Sequence, residues 1–95
     1  MLNLKSTTKD THAILNCPRL PARLNTTETA VLLGFQEHDI PVLAAANLLA
    51  PLGKPAPNAP KYFAAVEIAA LGDNAEWLTK ATKAIASHWR KKNGR

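Results

Sequence analysis

Chemistry in this chain of 95 residues would have to come from a short set of side chains. Gln36, His38 and Asn47 carry hydrogen-bonding edges, and a Gln or Asn amide pairs bidentately with adenine. Arg19, Arg23, Lys54, Lys61, Arg90 and Lys91 are cations of the kind that meet phosphate oxygens. His12, Cys17, His38 and His88 lack the paired close spacings of a metal site, so no metal is expected. There is no glycine-rich phosphate loop, no nucleophile with a neighbouring base, and no carboxylate pair in a clear setting. The chain therefore reads as a non-enzyme with no catalytic residue and no cofactor, and its candidate chemistry is recognition.

Charge is unevenly spread. The formal net charge is +5, which suits a polyanionic partner. Lys5, Lys9, Arg19 and Arg23 outweigh Asp10 in the first 24 residues, while residues 25–53 hold only acids, Glu28, Glu37 and Asp39. Residues 80–95 carry Lys80, Lys83, Arg90, Lys91, Lys92 and Arg95 without any acid. Contact with phosphate would come from the two ends. For the basic run HWRKKNGR the plain alternative is a solvated tail closing a helix. For Arg19 and Arg23 the choice lies between an arm in a minor groove and a linker.

The elements that must position these groups follow from composition and pattern. The chain is 46% hydrophobic but only 5% aromatic, with Ala and Leu dominant, which favours a few close-packed helices in one small domain. A single cysteine rules out an internal disulfide and fits a reduced, cytoplasmic setting. The N-terminus lacks the unbroken apolar run of a signal peptide, and no stretch is long and apolar enough to span a bilayer, so no membrane association is expected.

Residues 1–23, with Pro18 and Pro21, read as an extended basic N-terminal arm. Asn25-Thr-Thr-Glu28 is a capping box opening a first helix that Gly34 ends. Phe35 to His38 form a turn. Asp39 reads as the N-cap of a second helix over about Ile40 to Leu49, apolar almost all round. Leu52 to Pro60 can be neither helix nor central strand. Lys61-Tyr62-Phe63 is a short strand expected to pair in a hairpin with residues near Leu52. A short helix from Ala65 to Leu71 ends at Gly72. A second capping box, Asp73-Asn-Ala-Glu76, opens a long amphipathic helix to about Lys91. Trp77, Leu78, Ala81, Ile85, His88 and Trp89 make one face of it.

LNTTETAVLLGF resembles the opening of winged helix-turn-helix domains of the MerR and phage-excisionase type, through Leu24, Asn25, Ala30, Leu33 and Gly34. The Pro-rich loop and Lys61-Tyr62-Phe63 are similar to the wing and return strand of that family. The resemblance covers about residues 24–71. It implies a mainly α fold over residues 24–95: a winged helix-turn-helix with a small two-stranded wing and a long C-terminal amphipathic helix. It further implies a small bacterial or phage DNA-binding protein, a transcriptional regulator or excisionase-like factor, with double-stranded DNA as partner. The chain departs from the family where reading is done. The second helix offers Gln36, Glu37, His38, Asp39, Pro41, Val42 and Ala45 where the family presents Ser, Thr, Arg or Tyr, and Glu37 and Asp39 would repel phosphate.

Fold and function separate here, because function lives in the site. The alternative is a protein-interaction adaptor that keeps the fold without reading DNA. It would use the apolar second helix, or the Trp77 and Trp89 face of the last helix, to bind a protein partner or form a homodimer. The tryptophans read as core or interface anchors rather than as a base-stacking platform.

Overall fold

The computed structural model describes residues 19–94. Residues 1–18, with His12, Cys17 and most of the expected arm, lie outside the described residues. The order of elements is strand β1 (Arg23–Asn25), helix α1 (Thr26–Leu33), helix α2 (Asp39–Ala45), strand β2 (Tyr62–Ala64), helix α3 (Ala65–Gly72) and helix α4 (Ala75–Gly94). The protein is mainly helical, with a small two-stranded antiparallel sheet.

Both strands run directly into helices, so the sheet joins two strand–helix units. Leu24 stands opposite Phe63, Arg23 opposite Ala64 and Asn25 opposite Tyr62. This corrects the expected hairpin: the partner of Tyr62–Ala64 is Arg23–Asn25, and Arg23 belongs to a strand rather than an arm. The residues near Leu52 contribute one bond, from Leu52 N to Tyr62 O at 2.8 Å. Pro51, Pro55, Pro57 and Pro60 lack the N–H groups that a ladder needs. Leu24 and Phe63 carry the inward face of the sheet and are fully buried.

The capping box of α1 forms as expected. Asn25 N donates to Glu28 Oε1 at 2.9 Å, and Glu28 N donates to Asn25 Oδ1 at 2.8 Å. Gly34 ends the helix in the left-handed region, φ 82°.

Helix α2 is shorter than expected. It stops at Ala45 because Asn47 takes a left-handed backbone, φ 63°. Asn47 N then donates to Ala44 O at 3.1 Å and Leu48 N to Leu43 O at 2.9 Å, the bond pair of a Schellman ending. Asn is the residue other than Gly that best tolerates this conformation. The cap of α4 also shifts by one residue. Asn74, not Asp73, accepts from Trp77 N through its side chain, at 3.0 Å.

The core joins every element: Leu24, Ala30, Leu33, Ile40, Leu43, Leu49, Phe63, Ala65, Ile68, Trp77 and Ala81 are buried. Burying the larger of these side chains is worth roughly 1.5–3 kcal/mol each. On the expected inner face of α4, Trp77 and Ala81 are buried and Leu78, Ile85 and Trp89 partly so, while His88 is exposed. Among the described residues no helix is long and apolar enough to cross a membrane.

Candidate nucleic-acid interface

The turn between α1 and α2 is closed by its own backbone. Phe35 N donates to Ala30 O at 2.9 Å, and Asp39 N donates to Gln36 O at 2.9 Å. Asp39 does not cap α2. It is the first helical residue; His38 occupies the N-cap position without a side-chain bond. The Asp39 carboxylate turns back and accepts from Gln36 N through Oδ2 at 3.1 Å. Its other oxygen, Oδ1, accepts from Trp89 Nε1 at 3.1 Å. Asp39 is only 6% exposed, so its charge is withdrawn from the surface it was expected to face. Glu37 remains exposed there.

Helix α4 packs along α2 in the opposite direction, held at both ends of it by indole N–H groups. Trp77 Nε1 donates to Leu48 O at 3.0 Å, just beyond the end of α2, and Trp89 bonds Asp39 at its start. Phe35 meets Trp77 edge-to-face at 6.4 Å. Both tryptophans are thus anchors within the fold. His38 and His88 each meet the Trp89 ring at nearly right angles, with centroids 5.3 and 4.6 Å away. Lys92 Nζ lies 5.8 Å from the same ring centre. The basic end of α4, with Arg90, Lys91 and Lys92 exposed, is therefore brought beside the exposed Gln36 and His38.

The other expected cations are placed separately. Arg23 stacks on the Tyr62 ring, 4.1 Å from its centre, across the two strands. Arg19 lines a shallow depression with Leu20, Val66 and Ala69. Lys54 is exposed, in a left-handed backbone with φ 48°. Lys61 departs from its expected role. Its ammonium donates to Ala56 O at 3.3 Å, Pro57 O at 3.0 Å and Ala59 O at 2.9 Å. An ammonium has three N–H donors, and these three carbonyls take them all. Lys61 holds the Pro-rich loop instead of offering hydrogen bonds to phosphate. Asn47, a candidate for base contact by residue type, has a structural reason at the end of α2.

The outer side of α2 lacks polar groups suited to a base edge. Pro41, Ala44 and Ala45 line a cavity of about 570 Å³ with Pro51, Pro57, Pro60 and Phe63. The cavity arises because the proline loop folds back over α2. Its lining is mostly apolar, with Thr26 and Lys61 as its polar members. Large exposed apolar side chains are few among the described residues, Leu52 and Val66. No group of three or more His, Cys, Asp or Glu among them is arranged to hold a metal ion.

Comparison with known proteins gives no family model, no curated protein and no solved structure that matches the chain.

Proposed function

We propose that this protein is a small DNA-binding factor, a transcriptional regulator or excisionase-like protein, built as a winged helix-turn-helix of the MerR and phage-excisionase type. The observation that carries the reading is the docking of the basic end of α4 against the α1–α2 turn, beside exposed Gln36 and His38. The order helix, turn, helix, loop, strand, helix that follows β1 supports it too, with the strand paired to Arg23–Asn25 instead of within a wing hairpin. In this reading Arg90, Lys91 and Lys92 meet phosphates, with Arg19, Arg23 and Lys54 as further cations. Gln36 and His38 meet base edges. Asp39 turns its carboxylate inward to Gln36 N and Trp89 Nε1, which leaves Glu37 as the exposed acid at the turn.

The test is fluorescence anisotropy of the full chain with a mixed-sequence duplex library across a salt series. Affinity should fall with a log–log slope of about −0.9 for each phosphate neutralised. Absence of binding at low salt would sink the reading.

A second reading, a protein-interaction adaptor, has its own support in the apolar cavity beside α2. The variant Ala45→Arg separates the two. A new cation on α2 should strengthen duplex binding severalfold if DNA is the partner, whereas in an adaptor it would block the cavity and abolish capture of the protein partner.

A further inference from the structure

Beyond Ile85, every side chain described on α4 is exposed except that of Trp89. Ala86, Ser87, His88, Arg90, Lys91 and Lys92 all face solvent. The last turns of a helix fray unless packing holds them, because an isolated helix end has little stability of its own. Trp89 supplies that packing here, and its one hydrogen bond to the turn goes to a single carboxylate. Asp39 Oδ1 accepts from Trp89 Nε1 at 3.1 Å, and Oδ2 of the same group accepts from Gln36 N at 3.1 Å. An indole has a single N–H donor, so this bond has no substitute within the ring. The rings of His38 and His88 flank the indole and complete the contact.

We propose that Trp89 is a positioning residue: through Asp39 it fixes the basic end of α4 to the α1–α2 turn, so that Arg90, Lys91 and Lys92 engage the phosphates of the same DNA duplex that Gln36 and His38 touch. The inference rests on the DNA-binding reading and adds to it the element that makes two separated sequence segments act as one surface. Lysines on a frayed helix end would have to be ordered on binding, which weakens each contact they make. Lysines on a docked end meet the duplex already placed.

The experiment is duplex binding by anisotropy from 50 to 200 mM salt, with the full chain in four forms: wild type, W89F, K91Q/K92Q, and the three changes together. Phenylalanine keeps a ring against His38 but has no donor for Asp39. The K91Q/K92Q pair should reduce the salt slope by about 2. W89F should reduce the slope and weaken binding by about tenfold, and adding it to K91Q/K92Q should cause little further loss, since coupled groups give non-additive effects. A wild-type salt slope in W89F, or losses that simply add, would overturn the proposal. Should W89F lose its helical circular-dichroism signal, amide hydrogen exchange of the wild-type chain decides: protection at Arg90, Lys91 and Lys92 supports a docked end, and exchange there as fast as in an unstructured peptide overturns the proposal. Failure of the wild type to bind at low salt is a separate result: it removes the DNA reading itself and the proposal with it.

Discussion

Asp39 shows how one residue changes meaning between sequence and structure. As a type it is an acid at the start of a helix, an expected cap and a source of repulsion. In the fold it is a nearly buried acceptor for Gln36 N and Trp89 Nε1. Removing it leaves two N–H donors without their partner, and hydrogen bonds to a charged group contribute about 1.5–3 kcal/mol each. Asp39→Ala should therefore lower stability by about 2–3 kcal/mol. Urea denaturation should show this as a lower midpoint with an unchanged slope. The contrast is Thr29, fully buried in α1, whose hydroxyl has no partner among the described residues. Capping was legible at this scale where the side chain acts locally: Asn25 and Glu28 form the box that their spacing requires. For Asp39 the decisive partner is 50 residues away, and no local pattern points to it.

At the scale of elements, two short features set the length and shape of what surrounds α2. Asn47 ends the helix early by adopting φ 63°. A β-branched residue in that conformation is strained by roughly 1–2 kcal/mol, while glycine is not. Asn47→Val should lower the melting temperature measurably and Asn47→Gly should leave it near the wild-type value; differential scanning calorimetry distinguishes the two. Lys61 ties down the loop by donating to the carbonyls of Ala56, Pro57 and Ala59. Lys61→Met keeps the aliphatic stem but removes all three bonds. Because the loop lies at the surface, the fold should survive, and limited proteolysis between Gly53 and Lys61 should become faster. The strand after this loop was legible from Tyr62 and Phe63, but its partner was not. Pairing depends on which backbone groups are free, and in the nearer, proline-rich segment it is limited to the bond from Leu52 N to Tyr62 O.

For the whole molecule the governing quantity is where charge ends up. The basic C-terminal segment and the acidic middle are opposed in the sequence, yet α4 returns along α2 and places Arg90, Lys91 and Lys92 beside the turn that holds Glu37. On the DNA reading Glu37 is the exposed acid that still opposes phosphate. Glu37→Gln should raise duplex affinity by about two- to threefold at low salt, and the gain should shrink toward 0.15 M salt as the Debye length falls to about 8 Å. Equal affinities for the two proteins at low salt would mean that the turn does not approach the duplex. Core changes act differently. Phe63→Ala would remove the side chain that joins the sheet to the core and should cost about 3–5 kcal/mol, enough to threaten the fold of a domain this small.

By itself the sequence determined the helical class, the capping box of α1, the stop at Gly34, the proline loop, and the two tryptophans on one helix. These follow from local conformational preference and from periodicity, which need no distant partner. Tertiary structure alone decided that Arg23–Asn25 is the mate of Tyr62–Ala64, that Lys61 is committed to its own loop, and that Asp39 holds Trp89. Each of these is a bond between groups that chain geometry brings together only after folding. The candidate surface exists for the same reason: its polar turn and its basic helix end are remote in the chain, and an indole N–H joined to a buried carboxylate makes them neighbours.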